Sequence, residues 1–577
     1  MRDYYEAEMR LLRESAREFA KLYPEQAALL NIDELRNPDP YVERLLEGMA
    51  YLSAQVRRRL DDDVPELCEA LLNQLWPHFL RPFPAATIVE FSPRPGQLRQ
   101  SQVLARGALL MSPAVGPDRI ICRFRTTSEV LLQPLHLKSV RTEETARGTT
   151  LLRLRFQLDA GLDAETLNLE RIRLYLHADA ALSLKLYELL AARVRGVEIS
   201  FPECPEQPAR NLGGQEMVSP CHLDADDLLV PGVGRSFLGY HLMHEYFCFR
   251  EKYLFVELGQ LDRVPWPRGC RSFDIQLTLQ GRLEPDERLN CEHLRLHCAP
   301  AVNLYETAAE PIRLNHRRSE YRLLADAATT EGVEIYSLDQ VIGVDAAGGA
   351  RRAYQPLHSF RHKAGAGRFF QLSRRGRGEA SAEHYLAVGG IEDFGGETLS
   401  CTLTACNGDL PRRHLREGSL NLATSEMPSF LRFANLLRPA ARLQPPVRRD
   451  FRLTLLSHLS LSLGSLDSPE ALRDLLRLYD WSGREQNWRR IAGISELRVS
   501  ACNRIRKGGL LRGVEVRVGV REDHFLNTGD AYLFGELLHV FFSRFASINL
   551  FVETVLVLQP SAQELRWQPL FGDSSPF

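Results

Sequence analysis

A chain of 577 residues with 44% hydrophobic content exceeds what one hydrophobic core holds and predicts roughly three or four domains. With 72 basic against 74 acidic residues, the formal net charge of -2 excludes a global electrostatic attraction to nucleic acid or to an anionic membrane. Recognition must then rest on local surfaces.

Residues 3 to 22 place Tyr5, Met9, Leu12, Ala16 and Phe19 at spacings of three and four, one apolar stripe of an amphipathic helix. In NPDPYVERLLEGMAYLSAQVRRRL, Asp39 is placed to cap and Pro40 to open a second helix, and Val42, Leu45, Leu46, Met49, Leu52, Val56 and Leu60 form its stripe. Asp61, Asp62 and Asp63 are expected to break it. Such a run can bind a divalent cation, though carboxylates at a helix N-terminus are the simpler reading. A third helix is predicted from Pro65 through Phe79, stopped at LRPFP by Pro82 and Pro84. Residues 1–85 therefore read as a helical domain.

From Thr87 the period becomes two. Leu152, Leu154, Phe156 and Leu158 alternate with polar residues, as do Ile172, Leu174 and Leu176, and Ile275, Leu277 and Leu279. Strands that bury one face and wet the other point to antiparallel sheets. A helix capped by Asp179 interrupts them up to about Arg195. The stretch GYHLMHEYFCFREKYLFVEL, crowded with aromatic residues, is predicted as extended chain, with His241 and His244 at a strand edge. Residues 86–320 are read as a β-rich domain and 321–449 as a second one, with Gly- and Arg-rich loops between 347 and 381. Residues 450–577 mix both periods in a C-terminal α/β domain. The fold class is α+β multidomain.

Catalytic and cofactor patterns are weak. HLMHEYF sets His241, His244 and Glu245 close together, residue types that a metal-dependent hydrolase uses, but in the order HxxHE rather than HExxH or HxxEH. GVGRSFLG misses the GxSxG elbow by one residue, and no phosphate-binding GxxxxGK[ST] loop occurs. The eleven cysteines lack CxxC spacing, the closest pairs being Cys291 with Cys298 and Cys401 with Cys406, and read as reduced thiols. The only lysines are Lys21, Lys138, Lys185, Lys252, Lys363 and Lys507, so the positive charge is nearly all guanidinium, suited to planar protein contacts. The N-terminus has no signal-peptide pattern, and no segment approaches the ~20 apolar residues of a membrane helix. A soluble, cytoplasmic protein is expected.

Several of these segments together resemble the TssF family, also called ImpG or VasA. They are NPDPYVERLLEGMAYLSAQVRRRLDDDVPEL with LWPHFLRPFP, GYHLMHEYFCFREKYLFVEL, HCAPAVNLYETAAEPI, LTACNGDLP, LLSHLSLSLGSL, and LRGVEVRVGVREDHF with YLFGELLHVFFSRFASINLF. They run in family order over nearly the whole chain. The chain departs from the family in Arg250, where Pro is usual, and in ACNGDLP, where a TNRDLP-like string is usual. The resemblance implies a non-enzymatic baseplate subunit of the type VI secretion system, without cofactor or metal. Two TssF copies with one TssG would form a wedge with TssE and TssK around the VgrG spike, docked at the inner face of the inner-membrane complex. It implies no nucleic acid and no membrane insertion. A phage or tailocin baseplate wedge protein remains an alternative, as does the hydrolase using His241, His244 and Glu245. Val42, Leu45 and Met49 are the expected partner-facing residues of the helical block. Leu537, Phe541 and Phe545 are expected to pack in or beside a subunit contact, or to fill the protein's own core.

Overall fold

The computed structural model describes residues 2–25, 40–145, 148–163, 165, 169–230, 238–284, 287–315, 317–325, 332–345, 349–357, 367–375, 383–390, 396–446, 451–458, 466, 468–506, 509–546 and 549–572. The helices used below are, in chain order, α1 (Arg2–Leu22), α2 (Pro40–Leu75), α3 (Ala180–Ala192), α4 (Leu238–Phe249), α5 (Leu410–His414), α6 (Phe451–Ser457), α7 (Pro469–Tyr479), α8 (Glu485–Ala492) and α9 (Thr528–Ser543). The chain divides into two compact units, residues 1–75 with 447–460, and residues 76–446 with 461–577. The fold is α+β, with several antiparallel sheets.

In the first unit, α1 packs along α2, and α6 packs on α2 as well. The expected break at Asp61–Asp63 is absent, because α2 runs unbroken for 36 residues and ends at Leu75. Pro65 removes one backbone donor from that helix without ending it. The expected continuation of a third helix to Phe79 gives way to a 3-10 turn over Pro77–Leu80. Residues near 451, assigned by sequence to the C-terminal domain, belong instead to the helical unit.

The second unit stacks its strands into several sheets. One sheet orders Leu422–Ala423, Leu109–Val115, Ile120–Thr126, Cys298–Val302, Ala86–Pro93 and Leu431–Asn435. Its core holds Val89, Phe91, Leu110, Phe124 and Phe433. Pairing of Val89 with Asn435 and of Phe91 with Phe433 crosses the boundary expected at residue 320, so the two β-rich regions share a sheet. A second sheet orders Arg210–Gly213, Val194–Ser200, Ser272–Leu279, Thr150–Leu158 and Leu135–Glu144, with the alternation read from sequence burying Leu152, Leu154, Phe156, Ile275 and Leu277. The CNGDLP motif joins sheets. Asn407 and Asn303 exchange hydrogen bonds at 2.7 and 2.9 Å, and Gly408 takes φ +55, where an added Cβ would meet the Glu334 carboxylate at 2.6 Å.

At the C-terminus Gly509–Arg521 lies parallel to Phe551–Gln559, from Gly513 beside Phe551 to Arg521 beside Gln559. Parallel neighbours need a long crossover, which α9 supplies. Asn527 caps α9 by accepting from Asp530 N at 3.0 Å, while its amide donates to Ala181 O at 2.8 Å. Gly529 and Gly535 permit the close seating of α9, since Cβ atoms there would come within 2.1 Å of Leu184 O and 2.3 Å of Trp567. Asp179 caps α3 as expected, accepting from Ala181 N and Leu182 N. The Gly- and Arg-rich segments between 347 and 381 lie about half outside the described residues; within the described half, the expected loops give way in part to the strands Arg351–Pro356 and Arg368–Arg375. GVGRSFLG likewise falls mostly outside them.

Candidate functional site

His241 and His244 stand on α4, a helix and not the predicted strand, with both rings buried. Every residue from Gly239 to Phe249 is buried, so the segment has no polar face from which a helical period could be read. Its aromatic residues serve packing on all sides rather than a pleated surface. The strand expected there begins only at Phe255, after a 3-10 turn over Arg250–Tyr253. Arg250, at the family's proline position, reaches Asp530 at 3.5 Å beside the buried Arg490–Asp530 pair at 2.9 Å.

The histidines meet other rings. His241 stacks on His78 at 3.7 Å between centroids, and His244 packs edge-on to Trp481 at 4.2 Å and Phe79 at 5.4 Å. Burial drives both down to about 3, with the neighbouring Lys252 charge adding to it at His241 and His241 adding to it at His244. His78 is lowered too, by burial first and then by the two neighbouring histidines. Three neutral imidazoles in an aromatic pocket are packing groups. Glu245 turns elsewhere. It accepts from Leu229 N at 2.7 Å and Val230 N at 3.2 Å, and holds a buried salt bridge with Lys252. A carboxylate so engaged is not available as a third ligand to the imidazoles, and no three potential ligands converge among the described residues. The hollow beside Glu90 and His136 is equally committed: Glu90 pairs with Arg295 at 3.6 Å and His136 with Asp159 at 2.7 Å.

Leu537 and Phe541 of α9 are fully buried within the second unit. Phe541 contacts Tyr240 at 5.5 Å and half-buried Phe545 at 5.0 Å. They take the second of the two places weighed for them, the core. As a core helix, α9 holds an ionisable carboxyl in the interior: Glu536 accepts a short hydrogen bond from Tyr187, and burial, which disfavours its charged form, raises its pKa to about 7.

The first unit presents the opposite case. On α2 the small residues Ala50 and Ala54 are buried, whereas Tyr41, Leu45, Met49 and Leu52 are exposed by 52 to 80%. Their spacings of four, four and three place them on one line of the helix. Leu45 and Met49 were read from the sequence; the side chain of Val42 lies outside the described ones. Tyr41 was missed, although its spacing of four before Leu45 is the signal that finds it. Isolated exposed apolar residues are ordinary, but a line of four on one helix is a continuous apolar stripe left open to water.

A helical unit bearing an open apolar stripe, joined in one chain to a closed β-rich body whose acids and histidines are engaged internally, defines a structural subunit of an assembly. The family model "Type VI secretion system, TssF" matches residues 1–574. The "Type VI secretion system component TssF1" of Pseudomonas aeruginosa is 31% identical over 619 residues, covering 98% of each chain. Among solved structures, a chain of the TssK-TssF-TssG baseplate subcomplex seen by cryo-electron microscopy is 32% identical, with TM-score 0.81 over 93% of this chain and 100% of that one. A chain of the type VI secretion system baseplate complex is 29% identical, with TM-score 0.62 over 98% of each. The chain belongs to the TssF family and is a structural baseplate component of the type VI secretion system, not an enzyme. That removes the hydrolase alternative and sets the context as secretion rather than phage or tailocin. No helix among the described residues is long and apolar enough to cross a membrane.

Proposed function

We propose that this chain builds the baseplate wedge by laying the Tyr41–Leu52 stripe of α2 against helices of TssG and of a second copy of itself. The wedge so formed includes TssK and TssE, surrounds the VgrG spike, and docks at the cytoplasmic face of the inner-membrane complex, where it nucleates tube and sheath. The observation that supports this is the line of four exposed apolar side chains on an otherwise amphipathic helix. In a bundle such a line becomes the knobs of a helix interface, which needs no movement of α1 to form. Support for the partners comes from the resemblance to the subcomplex that contains TssK and TssG.

The test is co-expression with a TssG-like partner and purification of the complex. Leu45→Asp with Met49→Asp is expected to abolish co-purification while leaving the chain folded. An unchanged yield of complex from the double variant removes the stripe from the interface.

A further inference from the structure

The strands Ile494–Arg506 and Gly509–Arg521 form a long antiparallel hairpin, paired from Ile494 beside Val520 out to Arg506 beside Gly509. The third strand of this sheet, Phe551–Gln559, supports it only from Gly513 inward. Beyond Gly513 the arm is a two-stranded ribbon, and an isolated two-stranded ribbon is marginal in water. Its side chains are open on both faces: Asn503, Arg504, Leu510 and Arg512 are all exposed, and so are Val499, Ser500 and Ala501 of the edge strand just inward of it. Ile505 is 81% and Leu510 66% exposed, and these two lie directly opposite one another across the ribbon.

Ile494–Arg506 is also the edge of its sheet, paired on one side alone among the described residues. A long edge of this kind is usually blunted by proline, a bulge along its length or inward charge, because its free N–H and C=O groups pair with any strand that arrives. The one register shift here lies at the base, between Ile494 and Glu496, leaving the outer part regular. The charge is one-sided. From 498 to 512 the sequence RVSACNRIRKGGLLR contains Arg and Lys but no acidic residue, although the whole chain is nearly balanced. Arg504 is bound back to Glu553 at 3.1 Å, whereas Arg512 makes no ion pair among the described residues.

We infer that the outer edge of Ile494–Arg506 is a binding site for an extended, acidic segment of another protein chain, added to the sheet as a further strand. Backbone pairing along the edge supplies the attachment, the exposed Val499 and Ile505 side chains supply apolar contact, and the basic arm selects an acidic sequence. An anionic lipid surface answers the charge but leaves the row of backbone donors and acceptors unused, which is why a polypeptide is the better fit.

The full chain is mixed with a fluorescent short peptide alternating Glu and Val, with a Lys and Val peptide as control, and separately with phosphatidylglycerol vesicles. The Glu peptide is expected to slow amide exchange across 498–505 by about tenfold or more. Arg512→Glu is expected to weaken its binding by about fivefold or more, and Val499→Glu, which places a like charge on the edge strand, to weaken it as well. Equal binding of both peptides, no slowing across 498–505, or a response to vesicles alone overturns the inference. These readouts use the isolated chain, so they stand or fall separately from the α2 stripe.

Discussion

Two helices in this chain both carry large apolar side chains and meet opposite fates. Helix α4 is enclosed on every side, down to neutral histidines and a Glu245–Lys252 pair sealed from water. Helix α2 buries Ala50 and Ala54 and, near its end, Leu72, but leaves Tyr41, Leu45, Met49 and Leu52 outside. In a monomeric protein the reverse is expected, since burying a large side chain stabilises by about 1.5 to 3 kcal/mol and an alanine by much less. The difference teaches that α4 uses its apolar surface within this chain, whereas α2 keeps an apolar stripe open to water.

That contrast breaks first in the buried region. Phe541→Asp places an unpaired carboxylate among Tyr240 and Phe545, and loss of more than about 4 kcal/mol is expected, read as failure of cooperative unfolding in denaturant. A stable variant would mean that α9 is not core. Next, Lys252→Met strands Glu245 in the interior and is expected to cost about 3 to 5 kcal/mol, most of it recovered when Glu245→Gln is added. Similar costs for the single and double variants would show that the pair is not coupled.

Acidity sharpens the comparison further. The folded values of His241 and His244, about 3, lie below the ordinary 6.5, so the unfolded chain takes up protons first. Their contribution is complete above pH 6.5 and falls toward pH 3, by about 1.4 kcal/mol per unit for each histidine. Glu536 acts with the other sign. Its value is raised from 4.5 to about 7, so its contribution is complete below pH 4.5 and is lost as pH rises through 7. Between pH 4.5 and 6.5 the two effects oppose each other, so melting temperature should fall on acidification less steeply than the histidines alone would give, the acid limb flattening in His244→Phe and steepening in Glu536→Gln. Unchanged limbs in these variants would count against buried neutral groups. The smallest effect on stability is expected on α2: Leu45→Asp with Met49→Asp should shift unfolding by no more than about 0.5 kcal/mol while assembly is lost. A large loss of stability there would place the stripe inside the chain's own fold.

The alternating strands at Leu152–Leu158 and Ile275–Leu279 were legible because each has one wet face, and the Asp179 cap because its bond is local. Helix α4 was not, since burial on all faces removes the period that distinguishes helix from strand. The stripe of α2 was legible as apolar, but its exposure was not, because sequence gives spacing without saying which face a neighbour covers. Asn407 and Asn303, 104 residues apart and hydrogen-bonded, left no joint signal in one sequence.

The sequence by itself determined the α+β class, the family, the amphipathic helices at the N-terminus and the absence of any catalytic pattern, since periodicity and motif order are local and survive without coordinates. Only the tertiary structure decided that α4 is a helix, that Leu537 and Phe541 are interior, that strand Leu431–Asn435 returns to the first sheet, and that Tyr41, Leu45, Met49 and Leu52 face water. Burial is a property of what packs against a residue, and those neighbours are brought together by contacts distant in the chain.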